Sequence, residues 1–152
     1  MVKNKKAKKQ PIFLYALAGV FVLLIVSLTV FNLLNPTLSY NDDRLTHVTS
    51  WNTFLSEQAP EDEPFLVYMY LETCGACQEI QQEILSFALD HKDSIPFFLA
   101  DANAPLLRAS ANNRPGSATA VPTLVLMENG VVLQEATGIT PVRNLLNQLR
   151  DN

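Results

Sequence analysis

A stretch that leads from an apolar run into a cysteine pair decides the fold: residues 65–77 are Phe-Leu-Val-Tyr-Met-Tyr-Leu-Glu-Thr-Cys-Gly-Ala-Cys. The run Phe65–Leu71 is almost continuously apolar, which is typical of a strand that is buried on both faces. Apolar residues then recur at helical spacing while glutamines and glutamates fill the other face; the apolar positions are Cys77, Ile80, Ile84, Phe87 and Ala88. We therefore predict a strand followed by a helix, with the cysteines where the helix begins.

Further elements are predicted on both sides of this junction. Before it come a short strand at 45–48 and a helix, capped by Thr49 or Ser50, to about Glu57. After it come the helix to about His91, a strand at 95–100, a short helix at 105–111, strands at 123–127 and 131–136, and a last helix from Thr140-Pro141 to about Arg150. Asn129-Gly130 joins the last two strands and is a strong hairpin signal. Helical crossovers make parallel neighbours and the hairpin makes an antiparallel pair, so the fold class is α/β, a mixed β-sheet flanked by helices on both faces.

Cys74 and Cys77 are the only cysteines in the chain, and their positions on the predicted helix differ. A spacing of three puts their Cα atoms about 5–6 Å apart, within reach of a disulfide. Cys77 lies on the apolar face and is expected to be buried. Cys74 lies outside that face at the helix N-terminus, where free backbone N–H groups and the helix dipole favour a thiolate. The pattern predicts Cys74 as the nucleophile and Cys77 as the resolving thiol of a redox pair.

Two structural alternatives for the cysteines are weaker. A stabilising disulfide would close a loop of only four residues, which the chain-entropy model credits with about 2 kcal/mol, against about 4.7 kcal/mol for a loop of about 100 residues. A Cys2His2 zinc site would need His47 and His91, but His91 follows Cys77 by 14 positions on one predicted helix, about 21 Å along its axis. We therefore expect neither a metal nor an organic cofactor, and we assign the histidines no role.

From about Phe65 to its C-terminus, the chain resembles the thioredoxin superfamily. The resemblance rests on the strand that leads into Cys74-Gly75-Ala76-Cys77, on Val121-Pro122-Thr123 before a strand, on the hairpin turn and on Gly138 before the last helix. It implies a thioredoxin-like fold in which Pro122 is cis and lies against the cysteines. It also implies that a client chain pairs with the backbone of Val121, so Val121, Pro122 and Thr123 are the implied substrate-binding residues. The alternative for Pro122 is an ordinary loop or edge-strand proline.

Departures from thioredoxin leave part of the chemistry open. Thr73 stands where thioredoxin has Trp, and Gly75-Ala76 stands where thioredoxin has Gly-Pro. Tyr68, six positions before Cys74, replaces a buried Asp, so the proton acceptor for the resolving thiol is open. Glu72 is near in sequence, but its position is typical of a solvated loop carboxylate. The direction is open too, since Val before the proline resembles the oxidase branch and Cys-Gly-x-Cys resembles the reducing branch.

An uncharged apolar stretch precedes this domain. Ile12–Phe31 is 20 residues long and holds fourteen Leu, Ile, Val or Phe, enough for a helix across about 30 Å of hydrocarbon. Asn35-Pro36 would end that helix. Five lysines precede the stretch and acidic residues follow it, so the positive-inside rule places the N-terminus in the cytoplasm. We predict a basic cytoplasmic tail at 1–10, a transmembrane helix at 11–34, a linker at 35–43 and the thioredoxin-like domain at 44–152. A cleaved signal peptide is the alternative, which the length of the stretch disfavours.

The charge distribution bears on partners. Residues 11–152 hold six basic residues and all fifteen acidic ones, and such a body does not favour nucleic acid. The chain looks like a membrane-tethered, extracytoplasmic thioredoxin-like protein of bacteria. We therefore expect a thiol–disulfide oxidoreductase, attached to the membrane, that acts on thiols or disulfides of exported proteins and on an unidentified redox partner. The alternative is a non-catalytic, membrane-anchored binding or chaperone module that uses the groove around Pro122.

Overall fold

A computed structural model describes residues 12–34, 37–117 and 119–151, and it divides the chain into two units. The first unit contains one helix, α1 (Ile12–Leu34), on which the side chains of residues 15–31 are exposed. In the part of the chain that is described, no helix has both the length and the apolar character that a membrane crossing requires. The predicted basic tail at 1–10, Pro11 and the predicted helix break at Asn35-Pro36 lie outside the described residues.

The second unit begins at Leu38 and is built on a five-stranded mixed sheet. Its strands are β1 (Thr46–His47), β2 (Phe65–Tyr70), β3 (Phe97–Asp101), β4 (Thr123–Glu128) and β5 (Val131–Thr137), arranged in the order β1-β3-β2-β4-β5. β1 and β2 run parallel to β3, whereas β4 runs antiparallel to β2 and to β5. β2 is the central strand and all six of its residues are buried, as the apolar run predicts.

Helices cover both faces of the sheet. They are α2 (Trp51–Thr53, continued by a π-helical turn at Phe54–Gln58), α3 (Gly75–Asp90), α4 (Pro105–Ala109) and α5 (Ile139–Arg150). Alternate side chains of β2 separate two cores, one with α3 and α5 and the other with α2 and α4. Tyr68 and Tyr70 belong to the first core, while Phe65 and Met69 belong to the second. The predicted order of elements and the α/β fold class are confirmed.

Helix ends differ from the prediction where another residue provides the cap. The last helix begins at Ile139 rather than after Thr140, because Gly138 takes the N-cap position with φ +92°, which glycine adopts without steric cost. Ser50 caps α2 as predicted, but its side chain makes no capping hydrogen bond. Instead, the N–H of Trp51 donates to Ser110 Oγ at 3.1 Å. The helix predicted to run to Glu57 is α-helical for only three residues and then continues as a π-helical turn. The other predicted strand and helix ends move by one or two residues.

The hairpin between β4 and β5 has the predicted two-residue turn. Asn129 and Gly130 have φ of +51° and +73°, and Glu128 pairs with Val131 on either side of them. A type I′ turn requires positive φ at both central residues, which explains why Asn-Gly is found here.

The chain before β1 packs on the domain and is not a free spacer. The Leu38 carbonyl accepts hydrogen bonds from Gln81 Nε2 and Gln82 Nε2, both at 2.8 Å, and the Leu38 N–H donates to Gln82 Oε1 at 3.0 Å. Tyr40 is only 3% exposed and its ring stacks on Tyr70, with 3.9 Å between the centroids. Leu38 and Tyr40, which fall in the predicted linker at 35–43, therefore bind to α3 and to the tyrosines of β2.

Candidate active site

Cys74 lies at the point where the chain turns from β2 into α3. It is the N-cap residue of α3 and is partly buried. Its sulfur accepts the backbone N–H of Cys77 at 3.3 Å. That N–H has no partner inside the first turn of the helix, so a thiolate at Cys74 gains a charge-assisted hydrogen bond and the positive end of the helix dipole. The N–H contact and the partial exposure favour Cys74 as the nucleophile.

Cys77 lies one turn further on, inside the core. It is 0% exposed and packs among the buried side chains between α3, α5 and the sheet. Burial raises the pKa of the Cys77 thiol from 9.0 to about 12, and Cys74 adds to the rise. A backbone hydrogen bond at Leu71 and the Tyr68 hydroxyl partly oppose it. Both thiols are free in this structure. The predicted burial of Cys77 is confirmed.

The loop before β4 borders the cysteines. The Val121–Pro122 peptide bond is cis, and the Cys74 thiol faces the Val121 carbonyl oxygen at 3.8 Å. The Gly138 N–H donates to the Pro122 carbonyl at 2.8 Å, which ties the loop to the start of α5. The expected cis geometry is confirmed, and the loop approaches Cys74 through the Val121 carbonyl.

Thr123 follows this loop but its side chain is turned into the sheet. It is 0% exposed. Its hydroxyl donates to the Ala120 carbonyl at 2.8 Å and shares a hydrogen bond of 2.9 Å with the Thr137 hydroxyl. Its backbone lies between Met69 and Thr137 in the sheet. The Thr123 side chain therefore holds the end of the loop, and Val121 is the loop residue that contacts Cys74.

Two tyrosines complete the surroundings of Cys77, and the sequence analysis gave neither a role in the site. The Tyr40 hydroxyl donates to the backbone carbonyl of Cys77 at 3.0 Å. Tyr68 is fully buried on β2, and its hydroxyl makes no hydrogen bond of standard geometry. Burial raises the pKa of Tyr40 to about 12 and that of Tyr68 far above its ordinary value. The sequence does offer a sign of Tyr68, because tyrosines alternate along a strand predicted to be buried. It offers no sign of Tyr40, because the residue that Tyr40 contacts lies 37 positions away.

The charged and histidine side chains near the motif stay outside this core. Glu72 is exposed and accepts a hydrogen bond from Asn41 Nδ2 at 3.4 Å, as fits a solvated loop carboxylate. His47 is exposed, and His91 stacks on Phe87 with 4.3 Å between the ring centroids. No group of three or more potential metal ligands is found within residues 12–34, 37–117 and 119–151.

The reduced protein is expected to lose stability in alkaline solution. The pKa of Cys77 is about 12 in the folded protein and 9.0 in the unfolded chain. Between these values the folded protein keeps a proton that the unfolded chain releases. This contribution is fully present below about pH 9 and is lost as the pH rises towards about 12. Urea titrations across this range should show the fall, and Cys77→Ala should show a shallower one. The core tyrosines titrate in both proteins, so the difference isolates Cys77. Equal slopes would contradict the assignment.

Comparisons with known proteins bear on the family and the fold of this chain. A family model for thioredoxin matches residues 45–151. Spinach chloroplast thioredoxin f is 24% identical, with a TM-score of 0.55 over 70% of this chain and 84% of that one. Thioredoxin f2 of Chlamydomonas reinhardtii is 23% identical, with a TM-score of 0.53 over 71% and 98% of the two chains. The Malassezia sympodialis thioredoxin Mala s 13 is 18% identical, with a TM-score of 0.55 over 68% and 89%. A search of curated protein sequences gives no match.

Proposed function

Because the chain belongs to the thioredoxin family, we propose that it is a thiol–disulfide oxidoreductase whose redox pair is Cys74 and Cys77. One observation carries the proposal: the Cys74 sulfur accepts the first-turn N–H of α3 at 3.3 Å, while the Cys77 thiol three residues later is buried. One sulfur thus accepts a helix N–H and is reachable from solvent, and the other is shielded. An unequal pair suits thiol–disulfide exchange, because one thiol reacts with the client and the other then attacks the mixed disulfide.

The reaction proceeds in two exchanges. In the reducing direction, the Cys74 thiolate attacks one sulfur of a client disulfide; a Cys74–client S–S bond forms, and the other client sulfur leaves as a thiolate and takes up a proton. Cys77 then loses its proton and attacks the Cys74 sulfur. The Cys74–Cys77 disulfide forms and the second client sulfur leaves as a thiol. Two electrons have passed from the cysteine pair to the client, and the reverse sequence oxidises a client dithiol.

The loop at Val121 is the proposed place for the client backbone. Its carbonyl lies 3.8 Å from the Cys74 sulfur. A client segment that pairs with the Val121 backbone as an added strand would bring its own sulfur to Cys74. Gly138 fixes the adjoining Pro122 carbonyl, so the loop is held in position before a client arrives.

Insulin reduction by the full-length chain in detergent tests this function. With dithiothreitol as the electron source, the wild-type protein should accelerate precipitation of the insulin B chain, and Cys74→Ser should not. A non-catalytic binding or chaperone module would leave the rate at the uncatalysed level in both. The reduction potential of the pair then gives the direction, since thioredoxin lies at about −270 mV and the oxidase DsbA at about −120 mV.

We also propose that the protein is anchored in the cytoplasmic membrane with its thioredoxin domain outside the cytoplasm. The support is in the sequence: Ile12–Phe31 is uncharged, five lysines precede it and Asp42 and Asp43 follow it. The clients would then be thiols or disulfides of exported proteins. A separate redox partner would restore the cysteine pair after each cycle.

Labelling of an added cysteine at Ser39 tests this topology. Ser39 is exposed, whereas the neighbouring Tyr40 belongs to the core. In a chain without Cys74 and Cys77, Ser39→Cys should react with a membrane-impermeant maleimide on intact cells, and the cysteine-free parent should not. The isolated chain should retain the lysines of residues 1–10. Labelling only after lysis, or a mature N-terminus that follows Leu34, would contradict the anchor.

A further inference from the structure

The hydroxyl group of Tyr68 is a buried hydrogen-bond donor that the resting site does not use. Tyr68 is 0% exposed in the central strand β2, in the same core as Cys77. Its oxygen is buried and makes no hydrogen bond of standard geometry, and the polar groups that influence it are the Tyr40 hydroxyl and the Cys77 sulfur. A buried hydroxyl without a partner lowers stability, because it has lost its hydrogen bonds to water and gained none in return. An unpaired donor next to a reacting group therefore calls for a functional explanation.

Among the polar groups around Cys77, Tyr68 is the one whose hydroxyl makes no hydrogen bond of standard geometry elsewhere. The ionisable groups that face Cys77 are Cys74 from the start of α3, Tyr40 from the segment before β1 and Tyr68 from β2. The Tyr40 hydroxyl already donates to the Cys77 carbonyl at 3.0 Å. From α5, Val142, Leu145 and Leu146 are buried in this core. The two arginines of α5 contact Glu83 and the Phe87 ring. The nearby carboxylate, Glu72, is exposed.

The Tyr68 ring is held in place by its neighbours. It stacks on Tyr40 with 6.3 Å between the centroids and an interplanar angle of 25°. On its own strand it stacks on Tyr70 with 6.0 Å between the centroids and an angle of 4°. A ring fixed on two sides keeps its hydroxyl in one place, so a partner that appears during the reaction meets a donor that is already positioned.

We propose that Tyr68 donates its hydroxyl hydrogen to the Cys77 sulfur when that sulfur becomes a thiolate, and that this bond promotes the attack that closes the Cys74–Cys77 disulfide. The inference rests on the proposed oxidoreductase function and concerns its second exchange. The proton that Cys77 loses passes to solvent, and the departing client sulfur takes one up. The step therefore balances without a base held in the protein. Tyr68 stabilises the thiolate and does not accept its proton.

The acid–base properties of the site agree with a donor role. Burial raises the pKa of Cys77, and the Tyr68 hydroxyl is one of the groups that oppose the rise. The pKa of Tyr68 itself is raised far above its ordinary value, by burial first and then by Tyr40 and Cys77. Tyr68 therefore stays protonated at any pH at which the protein works, as a hydrogen-bond donor must.

The two exchanges can be measured separately when the full-length reduced chain reacts with an aromatic disulfide. Cys74 attacks 5,5′-dithiobis(2-nitrobenzoate) and releases one coloured thiolate, and Cys77 then attacks the mixed disulfide and releases a second. Stopped-flow absorbance measures both rates. In Tyr68→Phe the first release should be unchanged and the second about three- to tenfold slower. Without the hydrogen bond, the fraction of Cys77 present as thiolate falls by roughly 10- to 100-fold. The remaining thiolate is more basic and therefore more nucleophilic, so the rate falls by only about the square root of that factor.

Tyr70→Phe is the matched control. Tyr70 is buried on the same strand, two residues after Tyr68, and its ring belongs to the same stack. Burial and then Asp101, Glu72 and Tyr40 raise its pKa, and neither cysteine contributes. Both release rates should therefore equal those of the wild-type protein. Tyr68→Phe should also be at least as resistant to urea as the wild-type dithiol, because Phe keeps the packing and removes the unpaired hydroxyl.

The pH dependence of the second release distinguishes a lost hydrogen bond from a loosened core. With the bond lost, Tyr68→Phe should reach the wild-type rate at a pH about half a unit to one unit higher. A loosened core would admit water to Cys77, lower its pKa and speed both the second release and its alkylation. An unchanged or faster second release in Tyr68→Phe overturns the proposal. A single release from the wild-type protein would contradict the proposed oxidoreductase function instead.

Discussion

Cells that produce the Cys77→Ser variant are expected to accumulate covalent mixed disulfides between this protein and its clients, whereas Cys74→Ser should give few or none. Cys74 accepts the N–H of Cys77 at the start of α3 and is the partly exposed member of the pair, so it makes the first bond to a client. Cys77 is buried, so its target is the Cys74 sulfur already bonded to that client. Without Cys77 the mixed disulfide persists. Catalytic turnover should be lost in both variants.

Electrophoresis without reductant measures this outcome. The Cys77→Ser variant should show bands of higher mass that disappear on reduction. The variant without either cysteine is the control for client complexes that do not depend on a disulfide. Client bands in Cys74→Ser but not in Cys77→Ser would show that the assigned roles are reversed.

Cys74 is expected to react with iodoacetamide at least about 100-fold faster than Cys77 near neutral pH. At a pKa of about 12, only about 10⁻⁵ of Cys77 is thiolate at about pH 7, and the thiolate is the reactive form. The side chain is also 0% exposed, so reagent reaches it only after local opening. Peptide mass spectrometry of timed samples measures both rates.

The same reaction in concentrated urea provides the control. Unfolding removes the burial that separates the thiols, so the two rates should converge. If Cys77 were labelled first in the folded protein, the register by which α3 turns Cys77 inward would be wrong.

The strand–helix junction and the hairpin could be predicted because each depends on local residues. β2 is buried on both faces, so its sequence is apolar without alternation. The turn at Asn129 and Gly130 needs two residues with positive φ, and few residue pairs provide them. The different environments of Cys74 and Cys77 follow from two local features: Cys74 is the N-cap residue of α3, and helical periodicity turns Cys77 inward. These features fix most of the fold and the centre of the candidate site.

The remaining features depend on contacts between distant parts of the chain. Thr140-Pro141 is a good helix start by local rules, but Gly138 is bound to the Pro122 carbonyl and begins the helix earlier. Tyr40 belongs to the core because its hydroxyl finds a carbonyl 37 positions away. The Tyr68 hydroxyl lacks a hydrogen bond of standard geometry because of the side chains that pack around it, which come from several elements. Local patterns give no account of such contacts, since their partners are set by the tertiary fold.

Leu38 and Tyr40 connect the chain ahead of the domain to α3, the helix that carries the resolving cysteine. A pull on the chain ahead of Leu38 would first load its hydrogen bonds to Gln81 and Gln82, which share the force because they lie on adjacent residues of one helix. Once these bonds break, the load passes to Tyr40. Its departure would remove the hydrogen bond to the Cys77 carbonyl and open a path for water to the buried thiol. Tension on this end of the domain would thus be converted into exposure of Cys77.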